Sequence, residues 1–254
     1  MSTSHDTLVE RQFGTRAAAY VASATHAAGP DLDRIEAIAQ AHPDARALDL
    51  GCGGGHVAYR VAPHVRDVVA SDLAPAMLAA VAAEGARRGL ANLRTAQAAA
   101  ERLPFADESF DLLLCRFTAH HWRDWEAGLR EARRVTRAGG TAVFVDTLAP
   151  ADAAADTHLQ AIELLRDASH VRNRRADEWL AALARSGFAV ERTTVHPLPL
   201  AFEAWTERMH TPPANVAAIR ALQTGAPDTV RAALGYEQDG SFTLPVATFE
   251  LRAA

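Results

Sequence analysis

Between residue 48 and about residue 147, short apolar runs alternate with longer segments whose apolar positions recur every three or four residues. This is the pattern of a parallel sheet with crossover helices, because strands covered on both faces are apolar throughout, whereas the covering helices bury one stripe. It predicts an α/β fold with a doubly wound sheet and strands at residues 45–51, 67–72, 93–98, 110–116 and 141–146. Four stretches connect these strands, three of them helical. In the second, Pro75 suits a first helical turn, and Met77, Leu78 and Val81 continue at helical spacing toward Gly89, a stop signal. In the last, residues 125–137 put Leu129, Ala132 and Val135 on one face and charges on the other, with Gly139 and Gly140 as the terminator.

Helices are also predicted at residues 6–22 and 31–41, and again at 152–166 and 175–186. Residues 188–194 read as a sixth strand and 243–251 as a seventh. Between them, residues 202–236 form an insertion with Trp205, Met209 and a Pro212-Pro213 break, followed by helical pieces separated by Gly225, Pro227 and Gly235. The chain then divides into N-terminal helices at 1–44, a core at 45–200, a helical insertion at 201–242 and a last core strand at 243–254.

Composition narrows the partners. Of 254 residues, 49% are hydrophobic and 22% charged, as in an ordinary soluble enzyme. No run approaches the ~18 apolar residues of a membrane span, so none is expected. The first residues lack the basic start and apolar stretch of a secretion signal, and the expected location is cytoplasmic. A net charge of −5, with both signs interspersed, argues against sequence-independent nucleic-acid binding. Cys52 and Cys115 lie in apolar strand ends and read as small hydrophobes, forming neither a disulfide nor a zinc site.

The most informative segment runs from Leu48 through Asp49, Leu50, Gly51, Cys52 and Gly53 to Gly55: a strand entering a glycine-rich turn at a helix start. Glycines permit positive φ there and let a ligand approach the backbone at the carboxyl end of a strand. Asp72, about 20 residues on at the end of the next strand, is placed to accept both hydroxyls of a ribose. A dinucleotide and S-adenosylmethionine both suit this geometry. Asp49 favours the second, since a carboxylate beside the turn repels a pyrophosphate but attracts an ammonium and a sulfonium, and His56 replaces the third glycine of the dinucleotide pattern. The plainer alternative is that Asp49 caps a turn and Asp72 the helix near Pro75.

With residues 48–55, 68–78, 101–122 and 129–140 taken together, the chain resembles the class I S-adenosylmethionine-dependent methyltransferases, in particular the ubiquinone/menaquinone-biosynthesis-like (methyltransferase type 11) branch. The resemblance implies a seven-stranded sheet with one antiparallel strand near an edge. It also implies that Gly51 and Gly53 line the methionine portion, Asp72 the ribose, and Leu73 and Met77 the adenine or ribose edge. The family's acidic residue after the third strand falls here on Ala99, followed by Ala100 and Glu101, so adenine is held either by backbone at 99–100 or by Glu101. Arg116, closing the fourth strand, is a candidate for the methionine carboxylate, the alternative being a surface ion pair with Asp107 or Glu108.

Methyl transfer is a displacement at sulfonium, so the protein aligns the partners and excludes water. Where the acceptor must lose a proton, His120 and His121 are the nearest candidate bases, one acting as base and the other as a structural donor; Asp146 and His170 are weaker candidates. The expected acceptor is a small molecule methylated on carbon or oxygen, and a homodimer is among the assemblies allowed. No metal is expected, because Cys115 and Arg116 stand where a magnesium-dependent relative would carry oxygen ligands. A non-catalytic cofactor-binding protein and a nicotinamide-dependent oxidoreductase are the competing readings. The N-terminal helix around Phe13 and Tyr20, together with the 202–236 insertion, is expected to cover the acceptor as a lid.

Overall fold

A computed structural model describes residues 4–14 and 27–254. Helices α1 (His5–Gly14) and α2 (Pro30–Gln40) precede the sheet. The alternating region then forms β1 (Arg46–Leu50), α3 (His56–Val61), β2 (Asp67–Asp72), α4 (Pro75–Arg87), β3 (Leu93–Gln97), β4 (Phe110–Arg116), α5 (Trp125–Val135) and β5 (Thr136–Thr147). After it come α6 (Ala153–Arg166), α7 (Ala176–Arg185), β6 (Phe188–Leu200), α8 (Phe202–Arg208), α9 (Pro213–Gly225), α10 (Asp228–Leu234) and β7 (Phe242–Ala253).

The strands make one seven-stranded sheet in the order β3-β2-β1-β4-β5-β7-β6. The first five pair in parallel, and β7 runs antiparallel to both β5 and β6. Strand order reverses between β1 and β4, which opens a crevice beyond their carboxyl ends.

The continuous apolar runs are explained by two covered faces. On one, Leu113 and Cys115 of β4 pack with Phe144, Trp179 and Phe249, and the predicted α5 stripe of Leu129, Ala132 and Val135 lies against them. On the other, Leu112 and Leu114 join Ile35, Val57 and Val81 from α2, α3 and α4. Each large side chain so buried contributes about 1.5–3 kcal/mol, and the two layers position everything at the strand ends. Both cysteines are free thiols, and Cys115 is buried.

Several boundaries differ from the sequence reading. Helix α5 ends at Val135, short of Gly139, because Thr136 is already opposite Phe110 of β4 and its hydroxyl donates to Ala132 O at 2.7 Å. Strand β6 continues to Leu200, past residue 194, since β7 offers a partner along its whole length. The insertion is not a loose cap: Trp205 and Tyr236 stack edge-on against Phe242, with ring centroids 4.9 and 6.0 Å away. Of the helix predicted at 6–22, α1 accounts for the first part, and Tyr20 lies outside the described residues. Among the described residues, no helix is long and apolar enough to cross a membrane.

Candidate active site

At the end of β1 the chain turns through Gly51, Gly53 and Gly55, with φ of +70°, +48° and +79°. Two of these glycines are needed for different reasons. A Cβ on Gly51 would lie 2.4 Å from Thr118 Oγ1, so the turn packs against the segment after β4; a Cβ on Gly53 would meet nothing within 4 Å, and Gly53 borders the crevice. Gly51→Ala is therefore expected to cost about 2–4 kcal/mol of stability, combining left-handed strain with the clash, and Gly53→Ala about 1–2 kcal/mol from φ alone. Urea unfolding of the two variants checks this, and equal losses would remove the Thr118 contact as the reason for Gly51.

Asp49 is buried, with 1% of its surface exposed, and one carboxylate oxygen accepts the Ala58 N–H of α3 at 3.0 Å. Burial, against the pull of that hydrogen bond and with help from the charge of Asp72, pushes its pKa up to about 7. Asp72 accepts from Gly53 N at 2.9 Å and from Ala74 N at 3.0 Å, and burial raises its pKa too. These bonds are structural: Asp49 holds the first turn of α3, and Asp72 holds the glycine turn and Ala74, the residue before α4, without capping that helix through its side chain. They coexist with a second property: two desolvated carboxylates border the same crevice, where a cation would relieve them.

The crevice is a cavity of about 310 Å³. Asp49, Gly51, Gly53, Asp72, Leu73 and Met77 border it. Ala99, Ala100, Glu101, Arg116, His120 and His121 line it as well, whereas Asp146 and His170, the weaker base candidates, are not among its lining residues. Glu101 also accepts the backbone N–H groups of Arg123 and Asp124 at 3.0 and 3.3 Å, fixing the approach to α5.

Arg116 requires a correction. Its partner is Asp31 at the start of α2, and both side chains are almost fully buried; neither Asp107 nor Glu108 is involved, and Asp107 pairs with Arg134 instead. Residues 107 and 108 precede β4 while Arg116 ends it, so the strand's length of roughly 20 Å separates them. Asp31 gave no sequence signal as a site residue, because its contact spans 85 positions.

His120 and His121 follow β4, with ring centroids 4.3 Å apart. His120 Nδ1–H donates to Asp146 Oδ1 at 2.6 Å, and its backbone N–H donates to the other oxygen at 3.2 Å. Burial acts to lower its pKa, but the charge of Asp146 and the hydrogen bond prevail, and the pKa is raised. His121 Nδ1–H donates to Ser169 O at 3.1 Å; burial and then the neighbouring His120 lower its pKa to about 4. His170 bonds Gln160 at 3.0 Å, and burial pushes its pKa far down. Asp146, weighed from the sequence as a base in its own right, is instead the partner that orients His120. Adjacent parallel strand ends carry this pair, a relation that only strand order reveals.

The cavity continues past the histidines to Asn173, Trp205, Arg208 and Met209, and α1 borders it through His5, Asp6, Val9 and Phe13. His5 Nε2 bonds His121 O at 2.9 Å, and Phe13 meets the His121 ring edge-on at 5.1 Å.

A family model described as a methyltransferase domain matches residues 48–144, the stretch from the glycine turn to β5. The uncharacterized protein YafE of Escherichia coli (strain K12) is 40% identical over 204 residues, which is 80% of this chain and 99% of YafE. An uncharacterized methyltransferase of Bacillus subtilis (strain 168), YcgJ, is 34% identical over 203 residues, 80% of each chain. The crystal structure of YcgJ aligns with a TM-score of 0.84 and 31% identity over 87% of this chain and 97% of that one.

The chain belongs to the class I S-adenosylmethionine-dependent methyltransferases. The nicotinamide reading is thereby set aside. The residues of this methyltransferase suit its cofactor on chemical grounds: open space beside Gly53 and two buried carboxylates with raised pKa match a ligand carrying an ammonium, a sulfonium and a ribose.

Proposed function

We propose that the enzyme methylates a carbon or oxygen atom of a small, largely apolar acceptor whose proton is taken by His120, without a metal ion. The observation that carries this reading is the His120–Asp146 pair at the cavity wall. With Nδ1–H committed to Asp146, Nε2 is the ring nitrogen left to receive a proton, and it has no partner among the described residues. His121, held by Ser169 and with a lowered pKa, is the structural donor of the two.

When bound, S-adenosylmethionine supplies an electrophilic methyl group on sulfur. In this reading Asp72 holds the ribose, Leu73 and Met77 its edge, residues 99–101 the adenine and Arg116 the methionine carboxylate. Helix α1 covers the mouth, because it borders the cavity while burying none of its own residues. The insertion forms the fixed far wall, since Trp205 and Met209 are both 2% exposed.

Among the described residues, no three His, Cys, Asp or Glu side chains are grouped to hold a metal ion. Turnover is accordingly expected to survive EDTA, and activity lost to the chelator and restored by magnesium would overturn this part. The reading as a whole is tested by a mass-spectrometric search of cell extract for a product heavier by one methylene, formed with enzyme and cofactor together. The result expected is such a product from wild type, sharply reduced with His120→Gln.

A further inference from the structure

Asn173 sits in the loop between α6 and α7, with 1% of its surface exposed, and borders the cavity. Its orientation is set on every side but one. Oδ1 accepts the Thr147 hydroxyl at 2.7 Å, the backbone N–H donates to Gln160 Oε1 at 3.0 Å, and the backbone carbonyl accepts from Gln160 Nε2 at 3.0 Å. The remaining group, Nδ2, is buried and has no partner among the described residues. A buried amide donor costs about 1–3 kcal/mol when left unbonded, so one retained at a ligand cavity points to an acceptor atom on the ligand.

This amide adjoins the proposed base. Thr147, which holds Asn173, follows Asp146, which holds His120, and the Thr147 N–H donates to Asp146 at 2.9 Å. The loop is tied to the same place, because the backbone N–H groups of Val171 and Arg172 both donate to His120 O, at 2.9 and 3.1 Å. The carboxylates of the same wall are already engaged: Glu163 pairs with Arg166 at 3.2 Å, and Asp167 accepts the Ser169 hydroxyl at 2.6 Å.

We propose that Asn173 Nδ2 donates to the oxygen of a phenolic or enolic acceptor, holding it as the oxyanion once His120 has taken its proton. This inference rests on the reading of His120 as base. The cavity chemistry selects the class. Trp205, Met209, Leu200 and Leu244 provide an apolar wall for a flat body. A histidine can deprotonate a phenol, with an ordinary pKa of about 10, far more readily than an aliphatic alcohol. A carboxylic acid is already ionised and needs no base. An amine acceptor offers no oxygen for the amide.

The probes are 2-naphthol and 2-methylnaphthalene, nearly isosteric and differing in the hydroxyl, titrated into enzyme saturated with S-adenosylhomocysteine. Wild type is expected to bind 2-naphthol roughly tenfold more tightly, and to lower the pH at which bound 2-naphthol becomes the naphtholate, read from its absorbance. Asn173→Leu is expected to abolish both effects. Asn173→Asp keeps the acceptor for Thr147 but replaces the donor with a negative charge, and is expected to favour bound naphthol over naphtholate. Unchanged S-adenosylhomocysteine affinity in both variants shows that they are folded. Equal binding of the two probes by wild type, no binding of either, or a preference that survives Asn173→Leu overturns the proposal. His120→Gln separates the two readings: if it abolishes product formation in cell extract while Asn173→Leu leaves the probe preference intact, the base stands and the phenolic acceptor falls.

Discussion

Replacing His120 with glutamine is expected to lower turnover by about 10²–10⁴, the range for loss of a positioned general base. The side chain keeps its approximate size, and S-adenosylhomocysteine should bind as before, which places the loss in the chemical step. The pH profile gives a second measurement. Burial alone would depress the pKa of His120, yet the charge and hydrogen bond of Asp146 raise it, with smaller contributions from Glu163 and Asp167. His121 and His170, which also face it, are held neutral near pH 7 by their own lowered values. A base acts when unprotonated, so kcat/KM should rise with pH to a plateau, with a midpoint above the ordinary histidine value of about 6.5. Asp146→Asn removes the raising influence and leaves burial dominant; its midpoint should move to lower pH while the plateau drops. The stability linkage runs the other way. A raised folded pKa contributes stability fully below about 6.5, and the contribution is lost as pH rises through the folded value. A profile indifferent to Asp146→Asn, or a larger rate loss in His121→Gln than in His120→Gln, would reverse the assignment.

Asp72→Ala is expected to weaken cofactor binding by about 10²–10⁴, since in the proposed reading its carboxylate accepts two charge-assisted hydrogen bonds worth roughly 1.5–3 kcal/mol each. The structure adds a second route to the loss. The same carboxylate holds the N–H groups of Gly53 and Ala74, so truncation also loosens the glycine turn and the start of α4. Asp72→Asn keeps one oxygen acceptor and removes the charge, and should fall between wild type and alanine. Titration calorimetry with S-adenosylhomocysteine reads both effects. An unchanged dissociation constant in a folded Asp72→Ala protein would take Asp72 out of the site.

Local pattern carried much of this structure. Strands β2 and β4 match the predicted 67–72 and 110–116, because a buried apolar run forms the middle of each and polar residues stand near its ends. The helix starting at Pro75 was equally legible from a proline at its first position. Where the sequence reading fell short, the cause was a contact distant in the chain. Helix α5 stops early because β4 captures Thr136, and β6 runs long because β7 supports it. The candidate cofactor residues were visible because their residue types follow from one short turn and the next strand end. Asp31 and Asn173 were not visible. An aspartate in a first helical turn and an asparagine in a loop are common, and only the fold brings one to Arg116 and the other to the strand end that carries Asp146.

The outer strand β6 bears on how copies of this enzyme can associate. An unpaired strand is a template onto which another chain can hydrogen-bond. Pro197 stands opposite Pro245 of β7, so neither can donate across that pair, and the position is a non-hydrogen-bonding one whose N–H would face outward. Pro199, two residues on, shares that orientation. The strand therefore lacks consecutive outward donors where it approaches the cavity, and toward its other end a register irregularity between Val190 and Arg192 interrupts the edge beside Glu191. A second copy attempting to continue the sheet would find missing donors at one end and a bulge with charges at the other. Continuation of the sheet by a second copy is therefore disfavoured at this edge, where the sheet ends on β6.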